Sequence, residues 1–228
     1  MSAKIMYTRQ EGILPQNKIV NGAVTIIGSG AIGSFSSLTL VKMGVKHLVI
    51  YDEDGVTSHN LPNQFFRKKD IGQFKVTALA DILNEFSGTK ITAHIQPYVK
   101  QQLKETTIVA TDSMSSRRSV WEQFKQQPQA KNLIEARMGA ELGLVYIIKK
   151  INGKIPKKLF NFYESRLYKD EDVKPLPCTA KAIIYNILMI SSLICRAYKS
   201  IIMNEKMPNE LIFNMTSIDE RSYMCTTI

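Results

Sequence analysis

Cysteine, tryptophan and histidine are scarce in this chain of 228 residues, with 3, 1 and 3 copies. Cys178, Cys195 and Cys225 form no CxxC pair. That excludes a four-cysteine structural zinc site within one chain, argues against a disulfide framework, and suits a reducing cytoplasm. No apolar run is long enough for a bilayer. The most apolar stretch, 182–195, is closely flanked by Lys181 and Arg196, and reads as a buried helix or a dimer face. Residues 1–16 are polar and lack the apolar core and cleavage site of a secretory leader. Acids are outnumbered, 20 against 30 basic residues, for a net charge of +10. The excess suits nucleic acid or an acidic protein surface. Part of it sits in the lysine run 149–158, and most such runs are simply solvated faces.

What is present is a globular composition, 44% hydrophobic and 22% charged, long enough to bury a sizeable α/β core. The chain is organised around residues 23–52. A short apolar run (24–27) meets Gly28-Ser-Gly-Ala-Ile-Gly33, a helix-like pattern follows, and a second apolar run (48–51) closes on Asp52. This spacing predicts a strand–turn–helix–strand unit that turns backbone N–H groups and a helix N-terminus toward phosphates. Gly28 permits the tight turn, Gly30 lets the backbone approach a ligand, and Gly33 lets helix and strand pack closely. Asp52, at the next strand end, can accept hydrogen bonds from a ribose.

Elsewhere the pattern predicts helices over 35–43, 75–86, 116–126 and 178–203. Strands are expected over 91–95, 107–110, 132–135, 142–149 and 211–215. Residues 1–21 read as an irregular arm, 53–70 as a long polar loop of the functional kind, and 150–177 as a crossover loop. The expected whole is one α/β domain over 1–228: a Rossmann-like, mainly parallel sheet flanked by helices, with a C-terminal helix and strand portion from 178 onward.

The polar stretch Asp52-Glu-Asp54, Asn60-Leu-Pro-Asn63-Gln64, then Gly72-Gln-Phe-Lys75 and Thr111-Asp112, resembles the ThiF/MoeB and ubiquitin-activating adenylating enzymes. The resemblance runs from about residue 7 to 138, and more loosely through the helix expected from Cys178. It implies binding of ATP with Mg²⁺, and attack of a carboxylate on the α-phosphate to give an acyl-adenylate and pyrophosphate. By the same resemblance Asp52 and Asp54 form the acid-x-acid strand end, with Asp52 on the ribose. Asn60 lies near the phosphates, Lys75 contacts phosphate, Asp112 is associated with Mg²⁺, and Arg9 is inserted by a dimer partner. Asn63 stands where the family usually has arginine, and Arg67 is the nearby cation that can replace it. Arg137 is carried as a substrate contact. Pro177-Cys178-Thr179 matches the neighbourhood of a nucleophilic cysteine, whose thiolate a helix start would favour. Each has a plainer alternative: a first-turn lysine for Lys75, a helix cap for Asp112, a surface charge for Arg9, a small core residue for Cys178.

The implied partner is a small ubiquitin-like or sulfur-carrier protein, or a peptide, with a free C-terminus, acted on by a homodimer. Three other readings stay open. A nicotinamide-dependent oxidoreductase fits the glycine unit alone. A tRNA-modifying carboxylate-activating enzyme would use the basic excess. A non-catalytic ATP-binding subunit is suggested by Asn63.

Overall fold

The computed structural model describes residues 6–19, 22–169, 171, 182–216 and 222–228. Its strands are β1 (Ala23–Ile27), β2 (His47–Tyr51), β3 (Lys90–His94), β4 (Thr106–Val109), β5 (Asn132–Gly139), β6 (Leu142–Lys149), β7 (Glu210–Asn214) and β8 (Tyr223–Thr226). The longer helices are α1 (Ala31–Met43), α2 (Lys75–Asn84), α3 (Met114–Gln126), α4 (Lys157–Glu164) and α5 (Ile184–Ile202). The strands form one sheet in the order β3-β2-β1-β4-β5-β6-β7-β8. Pairings from β3 through to β5 are parallel, and those from β5 to β8 are antiparallel. The expected α/β architecture is therefore observed, with an antiparallel extension. Strand order reverses between β1 and β4, so the crevice beyond their carboxyl ends is where a ligand fits in such a sheet.

The period-2 alternation of strands sorts side chains into two cores. Ile26, Leu48, Ile50, Ile108 and Ile134 face a cluster shared with Leu40 of α1, Leu79 of α2 and Ile190 and Ile194 of α5. Their chain neighbours Ile27, Val49, Tyr51, Val109 and Leu133 face a second cluster with Trp121 and Phe124 of α3 and Tyr163 of α4. Parallel strands buried on both faces read as short, largely apolar or β-branched runs, which is why β1, β2 and β4 are visible in the sequence.

Four expectations are corrected. The described part of the N-terminal arm, 6–19, is not irregular. It contains a 3₁₀ turn (Thr8–Gln10) and a helical turn (Gln16–Ile19), and it is docked by buried Tyr7, Leu14 and Ile19. Gln10 and Gln16 both donate side-chain amides to the Met43 carbonyl, at 2.8 and 3.2 Å, where α1 ends at left-handed Gly44. The 150–177 segment is not all loop, because α4 buries Leu159 and Tyr163 one turn apart. The C-terminal helix begins at Ile184, after an extended Ile183, rather than at Cys178. Nor is the lysine run a purely solvated face: Lys150 is buried and donates to the carbonyls of Phe124 and Gln127, at 2.5 and 2.8 Å, where α3 ends. A cation there complements the helix dipole.

The apolar stretch 182–195 has two faces. Ile187, Ile190 and Ile194 are buried, while Ile184, Tyr185, Leu188 and Met189 are exposed. No helix among the described residues is long and apolar enough to cross a membrane.

Candidate nucleotide site

The β1–α1 turn is built by close approaches. Gly28 has φ +92°, and a Cβ there would sit 2.7 Å from the Ala110 carbonyl oxygen after β4. A Cβ on Gly33 would sit 1.9 Å from the Gly28 oxygen, so helix and turn meet only because both positions lack side chains. Gly30 differs. A Cβ there would find only the Gln64 side-chain nitrogen, at 4.0 Å, so no internal packing demands a glycine. Gly30 caps α1 without a side-chain hydrogen bond, leaving first-turn N–H groups available to an anion.

Asp52 closes the turn from the β2 side. One carboxylate oxygen accepts the Ser29 N–H at 2.6 Å and the other the Asp54 N–H at 2.9 Å. The Asp54 carboxylate accepts the Lys75 ammonium at 2.7 Å, and the Asp54 carbonyl accepts the Lys75 N–H at 2.9 Å. Loop, strand end and α2 start are thereby linked in one chain of contacts. Lys75 opens α2, where the helix dipole disfavours a cation. The Asp54 carboxylate offsets this.

Around the crevice several buried polar atoms lack partners among the described residues: Ser29 Oγ, Asn63 Oδ1, Gln64 Oε1 and Thr111 Oγ1. Unmet buried hydrogen-bonding capacity next to an open backbone fits a polar ligand. Asp112 is exposed, and its carboxylate makes no hydrogen bond or ion pair among the described residues. It does not cap α3: Ser113 does, accepting the Ser116 N–H at 3.2 Å. Ser29 and Thr111 lie inside motifs read from the sequence but carry no role of their own there. Their signal is adjacency, one inside the glycine turn and one before Asp112.

Three expected site residues are occupied elsewhere. Asn60 is buried as a cap, its Oδ1 accepting the N–H and hydroxyl of Thr57, each at 2.9 Å. Arg67 does not replace the missing arginine. Its guanidinium holds Asp70 through two bonds of 3.0 Å and Glu85 through one of 2.8 Å. Arg137 is buried, and donates to Glu135 at 2.6 and 2.7 Å and to the Arg166 carbonyl at 2.7 Å. Burial works against its charge and the Glu135 bonds outweigh that, so its pKa is raised. It is not exposed as a substrate contact. Arg9 is exposed on the docked arm. Cys178 lies outside the described residues. Cys195 is buried, and burial pushes its thiol up to about 12, so it is no nucleophile.

Among the described residues, no group of three or more His, Cys, Asp or Glu side chains could hold a metal ion. The Asp112 carboxylate, unpartnered among the described residues, still suits Mg²⁺, which is commonly held by one or two carboxylates plus substrate phosphates.

A family model described as the ThiF family matches residues 1–226. The chain belongs to the ThiF family. It is 35% identical over 85 residues to the "Adenylyltransferase and sulfurtransferase MOCS3-2" of Zea mays, a match covering 36% of this chain and 18% of that protein. It is 30% identical over 86 residues to "Ubiquitin-like modifier-activating enzyme 5" of Arabidopsis thaliana, covering 37% of this chain and 20% of the relative. The matched stretch thus spans about a fifth of each relative's length. In three dimensions the chain is similar to E. coli MccB with succinimide, with a TM-score of 0.76 at 16% identity, over 97% of this chain and 71% of that one. It is equally similar to PaaA, with a TM-score of 0.76 at 17% identity, over 99% and 84%. These likenesses are of fold.

Proposed function

We propose that this ThiF-family chain is an ATP-dependent adenylyltransferase. It would activate the C-terminal carboxylate of a peptide, or of a small ubiquitin-like or sulfur-carrier protein, as an acyl-adenylate. The observation carrying this reading is the polar crevice between β1 and β4, where four buried oxygens and the Asp112 carboxylate have no partner among the described residues and Gly30 is open. E. coli MccB, of the same fold, is known in structures with ATP and with MccA.

In this reading the α1 N-terminus and the Ser29 region receive phosphate oxygens, and Asp52 exchanges one of its backbone donors for a ribose hydroxyl. Lys75 turns from Asp54 toward the phosphates, where a cation offsets the meeting of two anions. A carboxylate oxygen of the acyl substrate bonds to the α-phosphorus as the bond to pyrophosphate breaks. Mg²⁺, when bound, would neutralise phosphate charge, with Asp112 as its protein ligand. Asn63 carries no charge, and the guanidinium groups of Arg67 and Arg137 are engaged elsewhere, so in this reading a second copy of the chain supplies the further cation. Arg9 of a second copy is our choice, within a homodimer in the cytoplasm.

Calorimetric titration with ATP and with NADH tests the nucleotide class. ATP binding that weakens by roughly 10- to 100-fold in Asp52→Ala is expected, in line with loss of charged hydrogen bonds. NADH binding without ATP binding would overturn the proposal. Pyrophosphate release in the presence of synthetic peptides with free C-termini then tests the carboxylate.

A further inference from the structure

Behind the Thr111–Asp112 turn lies a buried charged cluster. Arg117 of α3 donates one terminal nitrogen to the Thr111 carbonyl at 2.5 Å and the other to the Asp112 carbonyl at 3.2 Å. Its Nε sits 3.0 Å from Glu135 Oε1, close enough for an ion pair but not aligned as a hydrogen bond. Glu135 is fully buried on β5, level with Val109 of β4. Arg137 holds the same carboxylate through two bonds, and the Tyr163 hydroxyl donates to it at 2.6 Å. Burial, and then the Glu135 charge, raise the Tyr163 pKa well above its ordinary value, so the phenol stays a donor.

Such a cluster is weakly explained by stability, since packed apolar side chains of similar volume serve at least as well. What it touches is more informative. Asp112 extends an exposed carboxylate with no partner among the described residues, and Ser113 already caps the helix. With no side-chain partner to hold it, the reach of that carboxylate depends on where the turn's backbone places the Asp112 Cα. Both carbonyls of the turn are held by one guanidinium.

We propose that Arg117, anchored by Glu135, is a positioning residue that fixes the Thr111–Asp112 turn and so aims the Asp112 carboxylate at a magnesium–nucleotide complex; this rests on the adenylyltransferase reading. The planar fork of arginine spans two carbonyls and a carboxylate together, which the point charge of lysine does not. A misplacement of about 1 Å at a reacting centre is enough to cost ~10²-fold.

The test is calorimetric titration of the full chain with ATP, with and without MgCl₂. The variants are Asp112→Asn, Arg117→Lys, Glu135→Gln and the Arg117→Lys/Asp112→Asn pair. Asp112→Asn is expected to lose the gain in ATP affinity that Mg²⁺ brings. Arg117→Lys should lose about tenfold of that gain, with magnesium-free affinity unchanged within about twofold. The paired variant should be no worse than Asp112→Asn alone, because a residue acting through another is non-additive with it. A purely structural arginine would instead lower both affinities and add to Asp112→Asn, which overturns the inference. If Arg117→Lys fails to fold, Glu135→Gln keeps one acceptor oxygen for the arginines while weakening the anchor, and should still lose part of the magnesium gain. Normal magnesium gain in the folded variants, or in Asp112→Asn, also overturns the inference. A wild-type chain that binds no ATP would instead sink the adenylyltransferase reading.

Discussion

The Lys75 ammonium lies 2.7 Å from the Asp54 carboxylate, and the partners differ sharply in exposure, 10% for the lysine side chain and 64% for the aspartate. An exposed partner holds a cation loosely, since water screens the pair. Phosphate can therefore replace Asp54. Lys75→Ala is expected to fold normally and to lower pyrophosphate–ATP exchange by ~10²–10³, the usual worth of one preorganised charge. Near-normal exchange in the variant would remove Lys75 from the chemistry.

Two glycines of one turn should respond oppositely to alanine. Gly33→Ala drives a methyl into the Gly28 carbonyl at 1.9 Å, a backbone contact that cannot yield cheaply. A loss of about 3 kcal/mol or more is expected, read by chemical denaturation. Gly30→Ala meets only Gln64 at 4.0 Å and should fold with near-normal stability, yet bind ATP more weakly. Unchanged ATP affinity in Gly30→Ala would argue against close backbone approach to a ligand there.

The Arg67–Asp70 clasp makes a prediction about acid. Burial alone would raise the Asp70 pKa, but hydrogen bonds from the Arg67 side chain and backbone outweigh it, and the net shift is downward. A lowered carboxylate pKa stabilises the fold above the unfolded value of about 3.9, and that stabilisation disappears as pH falls through the folded value. Arg67→Ala should cost about 1–3 kcal/mol at neutral pH and flatten the fall in stability below about pH 4. ATP affinity should stay unchanged. A large loss of ATP binding would return Arg67 to the nucleotide site.

Assembly is testable by mixing. If Arg9 completes a neighbouring copy's site, Arg9→Ala and Lys75→Ala chains are each nearly inactive alone. Mixed dimers recover activity at one site in two. The exposed apolar face of α5, with Ile184, Tyr185, Leu188 and Met189, is the surface we expect to be covered. A monomer in sedimentation experiments, or a fully active Arg9→Ala chain, would dismiss the arrangement.

The parts of the fold legible in the sequence are those whose physics is local. The glycine turn, the apolar and β-branched runs of β1, β2 and β4, and Gly44 ending α1 all follow from backbone sterics or burial on both faces. Helix α4 was hidden by its lysines, which mask a single buried stripe of Leu159 and Tyr163. Strand β8 was hidden because edge residues Tyr223 and Met224 are exposed, leaving no alternation to read. Within the site, the fate of Arg137 was half visible, since Glu135 lies two residues earlier on the same strand face. The contacts that Arg117 and Tyr163 make with Glu135 depend on β4 pairing with β5 and on α4 packing beneath, which no local pattern encodes. Asp70, three residues beyond Arg67, was similarly within reach of inspection. Glu85, on the far end of α2, was not.

The two glutamine amides that converge on the Met43 carbonyl have one more consequence. They pin the chain immediately after Arg9 and again six residues further on, with Leu14 buried between them. Arg9 is thus mounted on a bracket rather than carried on a tether. A bracket does not search for its target. Whatever receives that guanidinium has to be brought to it by the seating of one rigid body on another, so its delivery would depend on protein concentration and not on the timing of a loop.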